Sequence, residues 1–68
     1  MNDNYAIIGR EDGNICDFGM TKEEAVNMLC SYLGDYEGSL SALKEDYMVV
    51  QMDISVWTEV EQAWIRAH

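Results

Sequence analysis

The chain has 68 residues, of which 13 are acidic and four basic, for a formal charge of −9. So much like charge on so small a body repels nucleic acid, anionic membrane and other acidic proteins, and it favours a positively charged partner. Yet 49% of residues are apolar, including four Tyr, two Trp and one Phe, which excludes a disordered acidic tail and leaves one compact domain over residues 1–68.

The opening Met1-Asn2-Asp3-Asn4 has neither the basic nor the apolar region of a signal peptide. No apolar run approaches the ~20 residues that span a bilayer. A cytoplasmic setting is therefore expected, with Cys16 and Cys30 as reduced, mostly buried thiols. With no second pair and no His nearby, these two cysteines do not form a zinc pattern.

Asp12-Gly13 suits the two positive-φ positions of a type I′ hairpin turn. Taken literally, that turn sets Glu11 opposite Asn14, Gly9 opposite Cys16, Ile7 opposite Phe18 and Tyr5 opposite Met20. Ile7 and Phe18 then belong to the core, while Ile8, Arg10, Ile15 and Asp17 fall on the outer face.

Thr21-Lys22-Glu23-Glu24 is a capping box, and the helix it starts runs to about Leu33. Ala25, Val26, Leu29, Tyr32 and Leu33 share its apolar stripe, and Gly34 suits the C′ position. Asp35 to Gly38 reads as a loop, after which Ser39 can cap a short helix through about Asp46. Tyr47 to Ile54 alternates as a strand, with Val50 and Met52 expected in the core and Tyr47, Val49 and Gln51 outside. A last helix begins near Ser55 or Thr58, with Val56, Trp57, Val60, Ala63, Trp64 and Ala67 as its stripe and Ile65 exposed.

The order β-β-α-(α)-β-α predicts an α+β fold. In it a β-hairpin and a third strand form a small antiparallel or mixed sheet, with two main helices and the short one packed on one face as a second layer.

Candidate chemistry is sparse. Asp17-Phe18-Gly19 matches the kinase metal-binding tripeptide by letters alone, without a Gly-rich loop or catalytic loop. Asp35, Glu37, Glu45, Asp46 and Asp53 are oxygen donors, but none sits in a twelve-residue EF-hand frame. His68 is the sole histidine, and no G-x-S-x-G elbow occurs. No catalytic residue, metal site or cofactor is expected, and the chain reads as a non-enzyme. Trp57 and Trp64, at helical spacing with Val60, read as core rather than as an interface pair.

Two surfaces remain. Glu23, Glu24, Asp35, Glu37, Glu45 and Asp46 surround the first helix and its following loop, forming a candidate acidic face for a basic partner. Duplex DNA carries one charge per ~1.7 Å, so a domain studded with carboxylates can occupy a cleft built for phosphates. The outer sheet face, with Ile8, Arg10, Ile15, Tyr47 and Val49, is less polar than solubility demands and is a candidate protein-binding patch. In size, acidity, lack of motifs and compact α/β pattern the chain resembles the small phage-encoded inhibitors, including anti-CRISPR and anti-restriction proteins. That resemblance implies an inhibitor that docks on the basic surface of a host nucleic-acid-binding protein and competes with DNA or RNA, itself binding neither nucleic acid nor membrane. The alternative expectation is a small structural or assembly protein that self-associates, as a homodimer, through the sheet.

Overall fold

The computed structural model describes residues 4–50 and 55–67. Its elements are β1 (Tyr5–Gly9), β2 (Ile15–Met20), α1 (Lys22–Leu33), a 3₁₀ turn (Gly34–Tyr36), α2 (Leu40–Asp46), β3 (Tyr47–Val49) and α3 (Ser55–Ala67). The strands form one antiparallel sheet in the order β2-β1-β3, so the first strand of the hairpin is central. This is the expected small α+β domain, with the short helix present.

α1 starts where its local chemistry places it. Thr21 Oγ1 accepts from the Glu24 N–H at 3.1 Å, and Glu24 Oε1 accepts from the Thr21 N–H at 2.9 Å. Two otherwise orphaned donors are thereby satisfied. Its inner face buries Ala25, Val26, Leu29 and Leu33 against Tyr5, Ile7 and Met20 of the hairpin, Val49 of β3, Leu43 of α2, and Val56 and Val60 of α3. Alternation along β1 sends Tyr5 and Ile7 into this core and leaves Ala6 and Ile8 on the other side of the sheet.

α3 lies beside α1 and runs in the same general direction. Lys22 Nζ donates to Ser55 Oγ at 2.5 Å and lies 2.7 Å from Glu59 Oε2, joining the two first turns. At the other end the Trp64 indole lies over the turn that follows α1, so close that a Cβ on Gly38 would sit 2.8 Å from Trp64 Nε1. Trp57 and Trp64 are both partly buried against the core, as their helical stripe indicates, and Ile65 is exposed.

Several expectations are corrected. α1 ends at Leu33 as expected, but Gly34 is right-handed rather than left-handed and leads into the 3₁₀ turn. The chain reverses instead at Glu37 and Gly38, whose φ values are 55° and 80°, and Gly38 N–H closes the end by donating to the Leu33 carbonyl. The hairpin keeps Tyr5 opposite Met20 but then slips, pairing Ile7 with Asp17 and Ile8 with Ile15.

Two causes act together. The turn is longer than two residues: Gly9 N–H donates to the Asn14 carbonyl and Gly13 N–H to the Gly9 carbonyl, with Asp12 Oδ1 accepting from Asn14 N–H as an Asx turn. In addition, β2 carries two extra residues relative to β1, one of them beside Gly19, whose φ of 69° is that of a bulge glycine. Phe18 is consequently 73% exposed rather than core, and Cys16 is exposed rather than buried.

β3 presents the opposite face from the one expected. Val49 pairs with Ile7 and is 6% exposed, whereas Val50 is 39% exposed. The expected Val49 contribution to an outer patch is thus wrong. Gln51, Met52, Asp53, Ile54 and His68 lie outside the described residues.

Candidate protein-binding surface

The six predicted acidic side chains are all exposed, but they do not form one group. Glu23 and Glu24 stand in the first turn of α1, where they complement the helix dipole and where Glu24 closes the capping box. The rest of α1, residues 25–33 or roughly 14 Å at 1.5 Å per residue, separates them from the turn that carries Asp35 and Glu37. Glu45 and Asp46 end α2, and the Tyr36 hydroxyl donates to Asp46 Oδ2 at 2.5 Å. This bond ties the turn that carries Asp35 and Glu37 to the end of α2 that carries Glu45 and Asp46.

That cluster lies where two helices end. The last turn of α1 carries no basic residue, and Asp35, Glu37, Glu45 and Asp46 occupy positions at which a helix dipole favours cations. The partial negative charge of both helix ends therefore adds to that of the carboxylates. Arg10 partly answers it. Its Nε donates to the Lys44 carbonyl at 2.9 Å and to the Tyr47 carbonyl at 3.3 Å, and its backbone N–H donates to the Asp46 carbonyl. Arg10 thus fastens the hairpin loop to the end of α2, which gives it a local role beyond the surface one expected of it. Lys22 is held by Ser55 and Glu59, and Lys44 Nζ stands 5.9 Å from the Trp57 ring centroid. Lys44 lies in the last turn of α2 and Arg10 is bonded to carbonyls there, so two of the four cations stand at the end of α2 that carries Glu45 and Asp46.

Three tyrosines border the cluster, although the sequence places Tyr32 in a core stripe, Tyr36 in a loop and Tyr47 on the outer sheet face. Tyr47 lies 5.3 Å from Tyr32 and 6.4 Å from Tyr36 between ring centroids, the second pair edge to face. The i, i+4 spacing of Tyr32 and Tyr36 was the available signal. Tyr47 is half-buried in this group rather than free on the sheet. The hydrogen bond to Asp46 raises the Tyr36 pKa above its ordinary value of 10.0, with burial and the negative charge of Asp46 adding to the rise. Burial, then the nearness of Cys16, Tyr47 and Asp17, raises that of Tyr32. Both phenols are therefore neutral donors at physiological pH.

Beside the cluster a depression of about 220 Å³ is lined by Gly9, Glu11, Asp12, Asn14, Cys16, Asp46 and Tyr47. Its carboxylates come from both the hairpin loop and α2. Asp12 is committed to the turn, accepting from Asn14 N–H and Asn14 Nδ2.

Among the described residues no polar or charged side chain is buried, and no three His, Cys, Asp or Glu groups converge as metal ligands. No described helix is long and apolar enough to cross a membrane. On the sheet, Ile8 is half-buried and Ile15 is 60% exposed, both on the outer face as expected. The chain matches no protein-family model, no curated protein and no solved structure with which it was compared.

Proposed function

We propose that this chain is a non-enzymatic acidic binding module that docks on the basic surface of another protein. The observation that carries the proposal is the exposure of Asp35, Glu37, Glu45 and Asp46 at the ends of α1 and α2, which the Tyr36–Asp46 bond joins, on a chain of formal charge −9. Selection for stability alone would place Lys or Arg at the end of α1, whose last turn carries none. Acidic residues there make sense where a partner supplies the positive charge.

Tyr36 and Tyr47 add what charge alone lacks: rigid, amphipathic contact area of the kind enriched at binding hot spots. The adjoining depression has room for the head of one lysine or arginine side chain, with Glu11 and Asp46 as its counter-charges. A surface that presents carboxylates at close spacing competes for sites built to hold phosphates, which fits an inhibitor of a nucleic-acid-binding protein of the anti-CRISPR or anti-restriction kind. A deep, pKa-shifting pocket is what catalysis by carboxylates would need, and these carboxylates are solvated.

Capture from a bacterial lysate tests this. The immobilised chain should retain a basic protein at low salt and release it at near-physiological ionic strength, because exposed charges are screened beyond ~8–10 Å. Duplex DNA added as competitor should displace it as well. A captured protein indifferent to both salt and DNA would contradict the proposal.

A further inference from the structure

We infer that Asp12-Gly13 is a latent site of isoaspartate formation, held shut by the hydrogen bonds of its own turn, with Asn14 as the guard. This inference is independent of the acidic cluster and of any partner.

The sequence supplies the reactive pair. The Gly13 nitrogen can attack the side-chain carbon Cγ of Asp12, so that an N–Cγ bond forms, a Cγ–O bond breaks and the oxygen leaves as water with the proton of that nitrogen. The product is a five-membered succinimide, which water reopens at either carbonyl. Reopening at the backbone carbonyl carbon of Asp12 leaves the chain running through Cβ and Cγ, as isoaspartate, and returns a proton to the nitrogen. One water is lost and one is gained, and nothing is oxidised or reduced. Glycine has no side chain to crowd the attacking nitrogen and the widest backbone freedom, so it hinders ring closure least. Asp12 is the sole aspartate that glycine follows in this chain, and no asparagine is so placed.

Bulk does not protect the pair. Asp12 and Gly13 are both exposed, and nothing lies within 4 Å of the Cβ position on Gly13. Hydrogen bonding remains, and it engages both reacting groups. Gly13 N–H donates to the Gly9 carbonyl at 2.9 Å, so the nitrogen gives up that bond before it can shed its proton and move onto the side chain. Asp12 Oδ1 accepts from Asn14 N–H at 3.0 Å, and Oδ2 accepts from Asn14 Nδ2 at 2.9 Å. Two bonds to one residue fix the plane of the carboxylate, so turning Cγ to meet the nitrogen breaks them. Gly9 leaves room for this position, since a Cβ there would stand 3.3 Å from Asp12 Oδ1.

The rate of damage is therefore set by opening of the turn and not by the dipeptide alone. Exposed turns open locally at low free energy, so the protection is partial. Isoaspartate adds one backbone atom to a loop that the Gly9–Asn14 and Gly13–Gly9 bonds close, and it moves Asp12 from the depression that it lines with Glu11 and Asp46.

Ageing the full chain at physiological temperature and pH tests the inference. Isoaspartate at position 12 is read by peptide mapping with an endoproteinase that cuts before aspartate but not before isoaspartate. The wild type should accumulate it at least tenfold more slowly in buffer than in concentrated urea. Asn14→Ala removes the Nδ2 donor, and it should age at least threefold faster than the wild type in buffer but at the same rate in urea. Asn14→Asp, close in shape but without the donor, serves in its place should circular dichroism show Asn14→Ala unfolded. Glu11→Gln alters the same loop but none of the three bonds, and should age like the wild type in both solvents.

Equal wild-type rates in buffer and urea would overturn the inference. So would an Asn14→Ala variant that ages like the wild type in buffer, or one that ages faster in urea as well, since the local sequence and not the bond would then set the rate.

Discussion

Gly38 offers the most exacting check on how the end of α1 is held. Its φ of 80° lies in the left-handed region, and a Cβ built there would stand 2.8, 3.1 and 3.2 Å from three atoms of the Trp64 indole. Gly38→Ala therefore carries two costs. The left-handed backbone costs an L-residue about 1–2 kcal/mol. Displacing a partly buried indole that packs on the core adds about 1–3 kcal/mol, the usual range for overpacking.

Gly13 separates the two. Its φ is 72°, but nothing lies within 4 Å of its Cβ position, so Gly13→Ala shows the backbone cost alone. In urea, with a slope of about 1 kcal/mol/M for so small a domain, the Gly38 midpoint should fall about 1–3 M further than the Gly13 midpoint. Trp64 fluorescence and circular dichroism should give the same transition. Removing the indole should erase the gap, so that Gly38→Ala costs no more than Gly13→Ala in a Trp64→Leu background. Equal midpoints for Gly38→Ala and Gly13→Ala in the wild-type background would refute the packing of Trp64 on this turn.

Ile7→Ala should cost about 2–5 kcal/mol, because the side chain is fully buried between β2 and β3, and urea unfolding of dilute protein would show it. Phe18→Ala, at 73% exposure, should cost the protomer no more than about 0.5 kcal/mol in the same assay. The Tyr36–Asp46 hydrogen bond predicts a pH dependence. The folded pKa of Tyr36 is raised, so the stability it contributes is complete below the ordinary tyrosine value of 10.0 and is lost as pH climbs above it. Ultraviolet titration should therefore show one tyrosine ionising late, and Asp46→Asn should bring that step back toward the ordinary value.

Elements with local signals were legible in the sequence. The Thr21–Glu24 capping box fixed the start of α1 because both of its hydrogen bonds join residues three apart. Ser39 fixed the start of α2 in the same way, its Oγ accepting from the Ala42 N–H. The strands failed where the choice was not local. Tyr47 to Val50 is apolar at every position, so alternation cannot say which face is inner, and only the pairing of Ile7 with Val49 decides it. Asp12-Gly13 correctly marked a turn, but the Asx bond of Asp12 to Asn14 lengthened it, and the extra residues in β2 moved Phe18 outward. Gly19 inside a strand was the sequence hint of a bulge.

The acidic site was half legible for a similar reason. The carboxylates could be counted, but the Tyr36–Asp46 bond that ties the turn after α1 to the end of α2 depends on how α2 folds back.

The central claim is that this gathered cluster, and not net charge in general, binds the partner. Two double variants alter the charge equally: Asp35→Asn with Glu37→Gln at the cluster, and Glu23→Gln with Glu61→Gln on the first turn of α1 and on α3. Each should be titrated against the captured basic protein by calorimetry at fixed salt. The cluster variant should weaken binding at least tenfold, about 1.4 kcal/mol, and flatten its salt dependence, while the control changes affinity by less than threefold. Equal losses from both variants would contradict the account, because they would mean that the partner senses only the total charge.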